Sequence, residues 1–156
     1  MTRSSELPMA SDQILRGAIL SGLINAVING IIQYFILRGT APIPLTLDSI
    51  SGGSHSVLGG AVLLAVSLAM ILTAVAHVTV KGPKKPFVPT TLRLVFKHGL
   101  VAFGTVVALA VLWQWAFGTV EVGLVFAVIL LGLIAGVVAA AVNYLTIVEV
   151  TGGGGA

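Results

Sequence analysis

The sequence predicts an all-α integral membrane protein, a compact bundle of four transmembrane helices, on three observations. Hydrophobic residues make up 57% of the chain and charged residues 8%, against about a quarter charged in soluble domains. Four apolar runs, at about 13–37, 57–80, 92–117 and 120–148, each exceed the ~20 residues that cross a hydrocarbon core of about 30 Å. Each run also carries small residues at four-residue spacing, the side on which helices approach one another in lipid. Residues 1–12 then read as a flexible N-terminal arm, 13–148 as one transmembrane domain and 149–156 as a Gly-rich tail.

The first run is too long and too polar inside for the apolar core of a cleaved leader, so a retained span is expected. Positions four apart share a ridge of a helix. Two of its ridges are bulky and apolar, one headed by Ile19 and Leu23 and the other by Leu20 and Ile24. A third holds Ala18, Gly22, Ala26 and Gly30, and the fourth is a polar ladder of Ser21, Asn25, Asn29 and Gln33. One half therefore suits lipid and the other half needs a partner.

The connection 39–56 contains Pro42, Pro44, Asp48 and the Gly52-Gly53 pair, which reads as a loop or a short lid on the membrane surface. The second span presents Ala61, Ala65, Ala69, Thr73 and His77 on one face. The connection after it holds Lys81, Lys84 and Lys85, with Arg93 and Lys97 close behind. The third span offers Ala102, Ala110 and Gln114. A tight turn at Gly118-Thr119 makes the third and fourth spans an antiparallel hairpin, with Thr119 as helix cap and Glu121 at the positive end of the dipole. The fourth span carries the Gly132–Gly136 GxxxG pair, Ala140 and, beside them, Asn143.

Arg3 and Arg16 join the lysine cluster on one side, while Arg38 stands alone on the other. The positive-inside rule places both termini and the lysine loop in the cytoplasm, with a bacterial inner membrane as the expected location. The basic residues read as a topology signal with attraction for anionic headgroups, and no nucleic-acid surface is indicated. Sliding the third span onto the first pairs Lys97 with Arg16, Gln114 with Gln33 and Trp115 with Tyr34. Sliding the fourth onto the second pairs Gly132, Gly136, Ala140 and Tyr144 with Ala65, Ala69, Thr73 and His77. Two tandem helical hairpins related by an axis along the membrane normal would result.

Chemistry is sparse. There is no cysteine, which excludes disulfides, thiolate catalysis, iron–sulfur ligation and covalent c-type haem attachment. Glu6, Asp12, Asp48 and Glu121 fall in tails and loops and Glu149 at a span end, so no acid sits at mid-membrane to serve a proton-coupled pump. No phosphate loop, zinc-protease or serine-elbow motif occurs, and the chain is expected not to be an enzyme. His77 and His98 fall at similar depth on neighbouring spans and form a candidate haem- or metal-ligating pair, with His55 on the far side. The leading expectation is an accessory or self-associating subunit, in a homo-oligomer or larger membrane complex. Its contacts would run through Ser21, Asn25, Asn29, Gln33, Gln114 and Asn143, with Gly22, Gly30, Gly132 and Gly136 as packing points. The alternative is a small channel or facilitator whose amides line a polar path. Aromatic residues at the outer ends of the first and third spans, Tyr34, Phe35, Trp113, Trp115 and Phe117, serve as interfacial anchors.

Overall fold

A computed structural model describes residues 11–40, 42–47, 56–81 and 83–152. The arm before Ser11, the Gly52-Gly53 pair, His55 and the tail after Gly152 lie outside the described residues. The elements run α1 (Ser11–Leu37), β1 (Ile43–Leu45), α2 (Val57–Thr79), α3 (Phe87–Phe117), β2 (Val120–Val122) and α4 (Leu124–Thr151). All four helices are long and apolar enough to cross a membrane.

Most boundaries follow the hydropathy, and the departures have local causes. Residues 120–122 continue the apolar run of the fourth span, yet they form β2, paired antiparallel with β1 in the register Ile43↔Val122, Pro44↔Glu121 and Leu45↔Val120. The helix therefore begins after Gly123, which supplies no side-chain cap, and the expected Thr119 cap with Glu121 at the helix start is replaced by strand. α4 continues through Glu149 and Val150 to Thr151, so the expected tail starts later than residue 149. α3 starts earlier than the hydropathy indicates, at Phe87, with an extended residue at Val88 (φ −106°, ψ 131°). Gly39 and Gly118 follow α1 and α3 with φ of +89° and +68°, positive values that glycine adopts without strain and that let the chain leave a helix sharply.

Chain neighbours are not packing neighbours. α1 lies on α4, α4 on α2 and α2 on α3, whereas α3 barely meets α4 and α1 has no extensive contact with α2 or α3. The helices thus stand in the order α1, α4, α2, α3, with α1 and α3 at the edges. The expected tandem hairpins are corrected on this point: each half of the chain splays and packs across onto the other half. Exchanging α1 with α3, β1 with β2 and α2 with α4 reverses this order and so keeps every neighbour pair, and the strand pairing obeys the same exchange.

One end, the sheet end, is sealed by β1. Ile43 and Leu45 are buried with Leu37, Val57, Leu58, Ala61, Ala110, Ala127 and Leu131. The described ends of this proline-bearing connection are tied down through Thr46 and Ser56. Ser56 caps α2 by accepting from Gly59 N at 3.2 Å and donates to the Thr46 carbonyl at 2.6 Å. At the other end, the lysine end, Lys84 Nζ donates to the carbonyls of His77 and Val80 at 2.7 and 2.9 Å and terminates α2. A smaller core of Val80, Leu94 and Val150 lies beneath it.

Candidate functional site

The small ridges of α1 and α4 are used on each other. A Cβ built on Gly22 would stand 2.8 Å from the Gly136 carbonyl oxygen and 2.9 Å from the Ala140 Cβ. One built on Gly136 would meet the Ala26 Cβ at 2.9 Å and the Gly22 carbonyl at 3.0 Å. On Gly132 it would lie 3.0 Å from the Ala26 carbonyl, while Gly30 faces Val128 with room to spare. The backbones therefore touch along two turns, which only glycine permits.

The polar ladder runs along one edge of this seam. Asn25 Nδ2 donates to the Ser21 carbonyl and Asn29 Nδ2 to the Asn25 carbonyl, each at 2.9 Å. These are bonds to the preceding turn of the same helix. Ser21 Oγ accepts from Asn143 Nδ2 of α4 at 3.4 Å. Asn29 is buried, whereas Ser21, Asn25 and Gln33 are half-buried. Gln114 is used elsewhere. Its Nε2 donates to Thr46 Oγ1 at 3.0 Å and its Oε1 accepts from Leu47 N at 3.4 Å, so it pins the segment after β1 to the end of α3.

The histidines belong to the α2–α3 seam. His98 Nδ1 lies 2.9 Å from Thr73 Oγ1 and 3.5 Å from Thr146 Oγ1 of α4. The Thr73 hydroxyl also bonds the Ala69 carbonyl at 2.7 Å. A carbonyl only accepts, so the single hydroxyl proton is committed there, and Thr73 accepts the Nδ1 proton of His98. That tautomer puts a lone pair on Nε2, which is buried without a partner among the described residues. His77 sits edge-on to the Phe87 ring at 5.2 Å between centroids, with Nδ1 likewise unpartnered. The hydroxyl of Thr91 is the third such atom. Its helical acceptor would be the Phe87 carbonyl, which the extended Val88 takes out of register. The two imidazoles thus have different surroundings, and among the described residues no group of three or more His, Asp or Glu converges as a metal site.

Sequence reasoning read Thr73 as a packing residue and did not single out Thr91 or Thr146. No spacing within one helix signals these contacts, because Thr73 and Thr146 reach His98 from neighbouring helices. Nor did it single out the cleft left by the splayed α3 and α4. That cleft is apolar, about 270 Å³ in volume, and flanked by Val106, Leu109 and Trp113 of α3 and Phe126, Leu130 and Ile134 of α4. Comparisons with protein-family models, with curated proteins and with solved structures gave no match.

Proposed function

We propose that this chain is a non-enzymatic integral membrane subunit, its four helices crossing a bilayer and its termini and lysine loop on the cytoplasmic side, that associates with further copies through the polar edge of α1. The carrying observation is the partial use of the amides. Asn25 and Asn29 each place one N–H on the preceding turn, and the rest of each amide has no partner among the described residues. They lie on an edge helix that one neighbour, α4, covers. Unpaired amide groups cost several kcal/mol in hydrocarbon, and a helix of another copy would return about 0.6–2 kcal/mol for each bond made. Under this reading Asn25→Leu with Asn29→Leu converts the oligomer in mild detergent to single chains, measured by native mass spectrometry. Unchanged assembly sinks it.

A second reading draws on the exchange symmetry of the packing, which we take as the trace of a duplication. With Gln33 matched to Gln114, Asn25 and Asn29 fall on Val106 and Ala110, both of which line the α3–α4 cleft. The corresponding α1–α2 side would then be an amide-lined path for a polar solute. Solute flux into liposomes that falls with the same two substitutions would favour it over the first reading.

A further inference from the structure

The cleft between α3 and α4 is sized and lined for one kind of guest. It is floored by Ala61 of α2 and closed towards the sheet end by Leu45 of β1, which is 2% exposed. Water at that end therefore meets the β1 cap rather than the cavity. The sides are different: Leu109 and Phe126 are 63% and 51% exposed, so the mouth opens laterally between the two helices. On the reading that the helices cross a bilayer, that mouth faces hydrocarbon.

We infer that the α3–α4 cleft holds the hydrocarbon chain of a membrane lipid. Size and access suit a chain. A dry apolar cavity of about 150 Å³ already takes benzene, so a cleft of about 270 Å³ that is closed at the sheet end and open sideways admits a single flexible hydrocarbon chain from the bilayer. The gain is close contact rather than escape from water. A chain inside the cleft touches protein atoms on three sides, whereas an empty cleft leaves its lining without those dispersion contacts. Trp113, 38% exposed at the wall, reports directly on the site.

The test uses the two tryptophans. Trp115→Phe leaves Trp113 as the reporter, and Trp113→Phe leaves Trp115, which is 86% exposed. Each protein in mild detergent is titrated with a phospholipid carrying brominated acyl chains. Trp113 fluorescence should be quenched to saturation and recovered by the unbrominated lipid, while Trp115 should follow total lipid without saturating. Val106→Phe, which fills the cleft, should abolish the saturable part; should that variant not fold, the two reporters decide alone. A photo-reactive side chain at position 109 should yield a lipid adduct. Identical, non-saturating quenching at both tryptophans, or crosslinking at 109 to a second copy in place of lipid, overturns the inference. Either result leaves the α1 association reading standing, because the α1 amides do not touch this cleft.

Discussion

The α1–α4 and α2–α3 seams occupy equivalent places in the packing order, yet they are built on opposite rules. The first is a backbone contact: Gly22, Gly132 and Gly136 leave no space for a methyl group, and the neighbours that would be struck are carbonyl oxygens and Cβ atoms. The second is a side-chain contact, in which Thr73 meets His98 and Gly99 lies under Met70. A backbone cannot give way, so the first seam is rigid and intolerant. A thioether can turn aside, but the imidazoles beside it bring buried polar atoms that the seam leaves unpaired. Close approach achieves economy of polar groups at the expense of tolerance, and the side-chain seam makes the reverse exchange.

The sharpest way to break this contrast is to crowd the rigid seam. Gly136→Val should cost about 3 kcal/mol, at the upper end of overpacking penalties, because neither the Gly22 carbonyl nor Ala26 can move alone. Reversible unfolding in mixed micelles measures it, and a loss below ~1 kcal/mol would mean that the helices separate freely. Next in size is Thr73→Val. It removes the acceptor of the His98 Nδ1 proton and should cost about 2 kcal/mol, the range for stranding a buried donor, with Thr146 Oγ1 at 3.5 Å as a poor substitute. Adding His98→Leu to that variant should recover part of the loss, which a mere packing role for Thr73 would not give.

Gly99→Ala is the direct counterpart of the glycine change in the rigid seam. The new methyl would stand 2.9 Å from Met70 Cγ and 3.3 Å from its sulfur, so Met70 must re-orient at a cost of no more than ~1 kcal/mol. A penalty equal to that of Gly136→Val would erase the distinction between the seams. The smallest effect is expected at the lysine end, where Lys97 Nζ of α3 pairs with Glu149 Oε1 of α4. The two side chains are 53% and 35% exposed. Lys97→Met should therefore change stability by about 0.5 kcal/mol, and the change should vanish in high salt.

What was legible in the sequence was whatever depends on one helix at a time. Hydropathy located four helices, and four-residue spacing placed Gly22, Gly132 and Gly136 on contact faces. Partner choice was not legible, because a small ridge carries no label for the ridge it meets. Chain order suggested hairpins, while the ridges match across the halves. β1 and β2 were hidden for a different reason. Three residues are too few for a period, Val-Glu-Val prolongs the apolar run of α4, and each strand exists only through the other. Gln114 was readable as a polar residue near a span end, but its bond to Thr46 joins positions 68 apart. The tautomer of His98 depends on the rotation of α2 against α3, a quantity no single-helix pattern contains.

The order α1, α4, α2, α3 also has a consequence in time. A chain is made from its N-terminus, and the helix that receives α1 is the last of the four to emerge. Throughout that interval Gly22 and Gly30 have nothing to rest against, and Asn143 is not yet available to Ser21. Asn25 and Asn29 bridge the wait from within, since each has an N–H on the turn beneath it as soon as α1 itself exists. The self-directed bonds lessen the cost of the two amides, without removing it, while the first helix waits for the last.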